Sequence, residues 1–165
     1  ILLDPRNKDL GARLIINLEK LYLSLKKLEL KDSPIDEYYQ LSHKLGIPQK
    51  NMNELQNKLF GIECNFEELN GIDFQKGCYV GQENTARIKL KNKLLKRLLP
   101  IELIEGELLH DEIIMHNNVQ IGKILINKKY AYALVKFLDK NFKKNEIVIG
   151  AKSKFRILIP EWLNI

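Results

Sequence analysis

Apolar residues in the first third of the chain recur mostly at helical spacing. Asn17 is a favourable helix N-cap, and Leu18, Leu21, Leu25 and Leu28 follow it three or four residues apart, which predicts a helix. The alternation of Leu21, Leu23 and Leu25 would also suit a strand, so both interpretations stay open. Just before this segment, the apolar run 14–16 predicts a short strand.

A second helix is marked by its boundaries as well as by its spacing. Ser33 suits the N-cap, Pro34 suits the first helical position, and acidic residues follow in the first turn. Gly46 is expected to end this helix before Pro48. One apolar face is predicted, formed by Ile35, Tyr38, Leu41 and Leu45. A shorter helix is expected near residues 53–60.

After residue 87 the pattern changes to short β-branched runs separated by turns. Asn117-Asn118 suits a type I′ hairpin, because both central residues of that turn need positive φ. Strands are predicted at 98–104, 112–116, 119–126, 130–137, 146–149 and 155–159. With no helix between them, they indicate a small antiparallel barrel or sandwich. The fold class is therefore α+β, with one domain at 1–89 and a β-domain at 90–165.

Composition narrows the class of protein. The chain has 165 residues, of which 45% are apolar, and two cysteines. That favours a folded protein of a reducing compartment, taken to be the cytoplasm, over a disulfide scaffold. No apolar run is long enough for a membrane span, so no membrane partner is expected. Because the first residue is Ile within an apolar run, the chain is expected to be a piece of something longer.

The formal net charge of +6 is concentrated in one strip. Residues 87–97 hold six basic groups and no acid, whereas the flanking parts nearly cancel. From Ile88 onward lysines alternate with apolar residues, which predicts a strand with one wet face. Six cations within eleven residues also support a second hypothesis, a module that binds tRNA or another nucleic acid.

One segment combines glycines, a cysteine and flanking charges: Lys76-Gly77-Cys78 within residues 70–87. Gly77 would let the backbone bend sharply and approach a ligand or another segment. Cys78 would then lie near the start of a helix that runs to about Ala86, where the helix dipole and Lys76 favour a thiolate. The alternative is an inert, buried cysteine. Spacing gives no zinc site, so no metal is expected.

The segment from Lys76 to Glu83, KGCYVGQE, followed by Thr85-Ala86-Arg87, resembles the signature of the YgfZ family of folate-binding proteins. That family is related to the aminomethyltransferase of the glycine cleavage system (GcvT) and includes mitochondrial iron–sulfur assembly factors. Resemblance extends to Asp4-Pro5-Arg6, to residues 10–13 and 45–48, to Glu63-Cys64-Asn65, and to the tail at 159–162.

The resemblance implies part of a GcvT-like folate-binding fold followed by a closing barrel. It also implies an absent N-terminal portion, which carries the aminomethyltransferase's catalytic Asp. Folate-dependent methylene transfer is therefore the weakest hypothesis, and an accessory role is favoured over an enzymatic one. The implied function is support of iron–sulfur client enzymes, including those that modify tRNA, with tetrahydrofolate as cofactor.

The resemblance also implies roles for individual residues. Cys78 is the functional thiol, and its loop is shaped by Lys76, Gly77, Tyr79, Gly81, Gln82 and Glu83. For the cofactor, Glu63 would accept hydrogen bonds from the pterin, Tyr38 would stack on it, and Arg87 would neutralise the glutamate tail.

Each role has a structural alternative. Tyr38 would be a core residue, Glu63 a cap of the following turn, and Arg87 a partner of Glu83. Cys64 is expected to be buried, and Trp162 to be a packing anchor.

Overall fold

The computed structural model describes residues 1–77, 82–90, 96–136 and 146–163. Within these ranges helices occupy the first half and an antiparallel sheet occupies the second, so the α+β prediction is confirmed. The domain boundary near residue 90 stays a prediction.

The chain opens with a small hairpin. Strand β1 (Leu2–Leu3) pairs antiparallel with β2 (Ala12–Arg13), and a 3₁₀ turn at Lys8–Leu10 lies between them. The strand predicted at residues 14–16 is wrong: the paired residues are two positions earlier. Asp4 also holds the side chain of Arg13 in β2, because the Arg13 guanidinium donates to the Asp4 carboxylate at 2.9 Å.

Both predicted helices form. Helix α1 (Leu18–Lys27) begins after Asn17, whose side-chain oxygen accepts a hydrogen bond from the Glu19 backbone N–H at 2.9 Å. Helix α2 (Ile35–Lys44) has Pro34, not Ser33, at the N-cap. The Ser33 hydroxyl donates to the Glu37 carboxylate, whereas an N-cap serine would accept a hydrogen bond from a backbone N–H.

The region after α2 contains less regular helix than expected. A 3₁₀ helix spans Met52–Leu55, and residues 56–58 and 61–70 form turns. Helix α3 (Gln82–Leu90) follows and extends four residues beyond the predicted end at Ala86. The strand predicted from Ile88 is therefore wrong for residues 88–90, because the basic strip starts as helix. Lysines at alternate positions do not distinguish strand from helix when little of the segment is buried.

Six strands form one antiparallel sheet in the described chain, in the order β4-β5-β6-β3-β8-β7. Their bounds are β3 (Lys96–Gly106), β4 (Ile113–His116), β5 (Val119–Ile126), β6 (Ala131–Lys136), β7 (Ile147–Ile149) and β8 (Ser153–Ile157). The positive φ of Asn117 and Asn118, 48° and 62°, confirms the predicted hairpin.

The sheet is a nearly closed barrel, and side chains bridge its two outermost described strands. His116 at the end of β4 contacts the Glu146 carboxylate at 3.1 Å, just before β7. The line along which β4 and β7 face each other is the seam of the barrel. Near its other end, the Ala151 backbone N–H donates to the Glu112 carboxylate at 2.5 Å.

Helix α2 is attached to the outside of the barrel by polar contacts. The Tyr130 hydroxyl donates to the Asp36 carboxylate at 2.6 Å, and a His43 ring nitrogen lies 2.9 Å from the Ala131 carbonyl. Burial lowers the pKa of His43, so the imidazole is neutral at pH 7 and donates to that carbonyl.

The tail packs against two apolar cores. One core fills the barrel, and the other joins Leu10, Ile47 and Leu69. Trp162 packs against both, and its indole N–H donates to the Leu45 carbonyl at 2.8 Å. Its placement agrees with a packing anchor. In the described chain no helix has the length and apolarity needed to cross a membrane.

Gly46 makes the junction of α2 and the tail sensitive to substitution. Its φ is +71°, and an added Cβ would overlap the Pro160 ring. We expect Gly46→Ala to lower the free energy of unfolding by about 2 kcal/mol, from left-handed strain plus the clash. Denaturant unfolding measures this.

The matched control is Gly77→Ala, because no described heavy atom lies within 4 Å of where a Cβ at Gly77 would be. We expect that variant to lie within about 0.5 kcal/mol of the wild type. Equal losses in the two variants would contradict the role given to Gly46.

Candidate functional site around the cysteine motif

The cysteine segment begins in an exposed loop. Lys76 and Gly77 are both exposed and lie just before helix α3. Cys78, Tyr79 and Gly81 lie outside the described residues, and Gln82 is the first residue of α3. No described heavy atom lies within 4 Å of where a Cβ of Gly77 would be, and the approach of this backbone to a ligand or another segment stays a prediction.

Helix α3 is held at its C-terminal end. The Lys89 ammonium donates to both carboxylate oxygens of Glu67, at 2.6 and 2.8 Å, and lies 5.4 Å from the centre of the Phe74 ring. Glu83 in the first turn and Arg87 are exposed. The contacts therefore fix the end of α3 away from Gly77, while the positive end of the helix dipole is nearest the cysteine segment along the chain.

The turns at residues 60–72 form the frame from which the segment emerges. Asn65 is buried with φ +62°, and its side-chain amide donates to the Leu98 carbonyl at 2.9 Å. The Leu98 N–H donates to the Glu63 carbonyl at 2.8 Å. Arg97 pairs with Glu68 at 2.5 Å. These contacts attach the turns to the first residues of β3.

The same frame reaches the N-terminal hairpin. The Asn70 side-chain amide donates to the Pro5 carbonyl at 2.8 Å, and Leu69 packs in the core beside Leu10. Asn70 has φ +58°, in the left-handed region that asparagine tolerates better than most residues. The dipeptide Asn70-Gly71 is of a turn-forming type, a signal that could have indicated this turn but not its contact with Pro5.

The buried Asp4 organises an ionic cluster with the half-buried Arg6 and the exposed Arg13 next to this frame. Its carboxylate accepts hydrogen bonds from the Arg6 backbone N–H and guanidinium and from Arg13, at 2.8–3.0 Å. Its exposure is 5%. The hydrogen bonds from the Arg6 side chain hold the pKa of Asp4 well below its usual range, even though burial raises it. Asp4 is therefore ionised at any physiological pH.

Tyr38, the predicted stacking residue, belongs to this cluster. Its hydroxyl accepts a hydrogen bond from the Arg6 guanidinium at 2.9 Å, and its ring packs against the core of Leu10, Ile47 and Leu69. Its position fits the alternative that Tyr38 is a core residue, and stacking on a pterin stays a prediction.

Glu63 lies in a different cluster from Tyr38. Its carboxylate accepts a hydrogen bond from the Phe60 N–H at 3.1 Å, so it caps the start of the turn in which it lies. Arg87 is on α3. The three predicted cofactor residues thus belong to three separate elements, and their roles toward a pterin stay predictions.

Cys64 is buried beside Glu63, as expected. Burial, together with the Glu63 carboxylate, raises the pKa of the Cys64 thiol to about 11. It is therefore protonated and poorly nucleophilic at neutral pH. In the described residues, no group of three or more His, Cys, Asp and Glu side chains could hold a metal ion.

The basic strip is partly neutralised in the fold. Lys89 pairs with Glu67 and Arg97 pairs with Glu68. These acids lie about twenty to thirty positions before the cations they pair with. The sequence did not indicate which acid would pair with which cation. Residues 91–95 lie outside the described chain, and the nucleic-acid hypothesis stays untested.

No family model matches the chain. Curated relatives do match it, and the chain is similar to proteins named iron–sulfur cluster assembly factors. The mitochondrial IBA57 homolog of Dictyostelium discoideum is 36% identical over 122 residues, covering 70% of this chain and 29% of the relative. The Neurospora crassa homolog is 37% identical over 97 residues, covering 59% and 22%. Mouse IBA57 is 34% identical over 105 residues, covering 64% and 28%.

The chain spans less than a third of the length of these relatives. Their names agree with the iron–sulfur part of the resemblance. They contradict the cytoplasmic prediction, which is corrected: the relatives are mitochondrial proteins. A low cysteine count indicates a reducing environment but does not say which compartment provides it.

We expect Asp4→Asn to lower the free energy of unfolding at pH 7 by about 2 kcal/mol, because both arginines lose a buried charged partner. The folded pKa of Asp4 is lowered from 3.8. Its contribution is therefore present above that pH and is lost as the pH falls toward the folded pKa. Denaturant unfolding from pH 7 to pH 2 should show the two proteins converging.

Asp9→Asn is the control, since Asp9 is exposed on the neighbouring 3₁₀ turn. A constant difference between wild type and Asp4→Asn at all pH values would contradict the ionic role of Asp4.

Proposed function

We propose that this chain serves iron–sulfur cluster assembly, with Cys78 as the thiol that handles the cluster or a thiol partner. The observation that carries the proposal is the similarity to proteins named for that role, together with the cysteine segment between an exposed loop and the start of α3. Client enzymes, including those that modify tRNA, are the proposed partners.

The chemistry of the segment supports this role. A thiolate is a soft ligand suited to iron in a cluster, which enters here as cargo. Helix N-termini and nearby cations favour thiolates, and Lys76 lies two residues before Cys78. The described residues on either side of the segment, Lys76, Gly77 and Glu83, are exposed.

The second cysteine provides a contrast within the chain. Cys64 is buried, and the raised pKa of its thiol keeps it protonated. Thiol chemistry at neutral pH is therefore assigned to Cys78.

A folate cofactor is the second part of the proposal. Tetrahydrofolate would be bound with Glu63 toward the pterin and Arg87 toward the glutamate tail. The exposure of Arg87 supports an electrostatic contact with an anionic group. The proposed stacking of Tyr38 on the pterin has weaker support, because its hydroxyl already accepts a hydrogen bond from Arg6.

We expect Cys78→Ser in the complete protein to abolish its support of iron–sulfur enzymes in cells that lack the wild-type gene. The oxygen of serine is a harder and far less acidic ligand than a thiol. The measurement is the specific activity of a mitochondrial iron–sulfur enzyme, normalised to the level of its polypeptide.

Cys64→Ala is the matched control, because it also removes a thiol but from a buried site. It should retain most of the activity if the protein accumulates. Full activity with Cys78→Ser would refute the role of the thiol while leaving the assembly role itself standing.

We expect Arg87→Ala to weaken tetrahydrofolate binding to the complete protein by about tenfold, which corresponds to one charge-assisted contact. Calorimetric titration measures it. Lys27→Ala, an exposed cation on α1, is the control and should have no effect. Failure of the wild type to bind tetrahydrofolate would end the cofactor proposal.

A further inference from the structure

The seam of the barrel carries an apolar stripe on its outer surface. Ile113 and Met115 of β4 are 54% and 46% exposed, and Ile147 and Ile149 of β7 are 51% and 73% exposed. The residues between them, Ile114 and Val148, point into the core and are nearly fully buried. Both strands are therefore apolar on both faces.

An apolar outer face is unusual at this position. Outermost strands are normally protected by charged side chains, because exposed apolar edges promote association. Such exposed patches mark interaction sites in folded proteins. The four side chains form one surface because β4 and β7 face each other across the seam that His116 and Glu146 bridge.

The strand register places a cation beside most of this stripe. Ile113 lies opposite Lys123 of β5, Ile147 lies opposite Arg156 of β8, and Ile149 lies opposite Lys154. Residues directly opposite in antiparallel strands share a face of the sheet. The stripe is therefore bordered on both sides by cations.

Two acidic partners of the β8 cations lie one strand further away. Arg156 pairs with Glu102 and Lys154 pairs with Glu105, both on β3. On the other side, Lys123 pairs with Asp111. These exposed ion pairs are weak and can exchange partners. From the seam outward on this side, the exposed side chains are thus apolar on β7, basic on β8 and acidic on β3.

This order determines which partner fits. Neighbouring strands are about 4.8 Å apart, so a ligand about 10 Å wide that is centred on the seam covers the stripe on β4 and β7 and has the cations of β5 and β8 at its two edges, short of Glu102 and Glu105. An α-helix has that width. A flat anionic membrane would face the acidic row as well.

We propose that the stripe of Ile113, Met115, Ile147 and Ile149, with Lys123, Lys154 and Arg156, docks an amphipathic helix of a partner protein whose apolar face is bordered by acidic residues. The contact is recognition of an amphipathic helix through its apolar face, here by an apolar stripe on the outside of a barrel. It is independent of the thiol and folate proposals.

The probe is a fluorescein-labelled synthetic helix of 18 residues with leucine at heptad a and d and glutamate at e and g. Fluorescence anisotropy with the 165-residue protein should show saturable binding that weakens with salt. A peptide with lysine at e and g, and one with alanine at a and d, should bind at least about tenfold more weakly.

Ile147→Ser with Ile149→Ser should weaken binding by about tenfold. The matched control is Leu18→Ser with Leu23→Ser, since these α1 side chains are similarly exposed. That control should bind like the wild type. Circular dichroism verifies folding of each variant.

A charge exchange keeps the test decisive if the serine variant does not fold. Lys123→Glu with Lys154→Glu should weaken binding of the acidic peptide and strengthen binding of the lysine peptide. Three results would overturn the proposal: no binding of the acidic peptide at 1 mM protein, equal losses in both serine variants, or unchanged preference after charge exchange.

Other occupants give distinguishable results. Cosedimentation with vesicles of 30% phosphatidylserine, abolished by the β7 serines, would replace the helix with a membrane. A concentration-dependent dimer in sedimentation velocity, abolished by the same serines, would replace it with a second copy. Either result obtained without peptide binding would overturn the proposal.

Discussion

The structure depends on how Leu98 joins the two parts of the chain. Its N–H donates to the Glu63 carbonyl and its carbonyl accepts from the Asn65 amide. Both groups are deep in the fold, and a buried backbone group without a partner is costly. The first residues of β3 are thereby fixed to the turns at residues 60–72, and the cysteine segment with α3 lies between these two fixed points along the chain.

Charge is used twice in the same half of the protein. In one place the acid is buried: Asp4 holds Arg6 and Arg13 and thereby orders the hairpin next to Asn70. In the other the acids are half-buried: Glu67 pairs with the exposed Lys89, and Glu68 pairs with the half-buried Arg97. The strip is therefore partly a structural feature, although its composition alone suggested a nucleic-acid ligand.

Much of the local structure followed from local chemistry. The Asn17 cap, the end of α2 at Gly46, and the Asn117-Asn118 hairpin each depend on the preferences of one or two residues, and each formed as predicted. The errors arose where such preferences were weak. Residues 14–16 had no strand partner, and residues 88–90 were exposed enough to suit either a helix or a strand.

The sequence by itself determined the α+β class, most of the six strands and the segment in which thiol chemistry is expected, because periodicity, caps and motif residues act over short distances. Only the tertiary structure decided that Tyr38 meets Arg6, that Glu63 caps its own turn, and that apolar residues of β4 and β7 meet across a seam. Those outcomes depend on which distant segments pack together. A pattern of side chains along one strand or helix does not specify its partner.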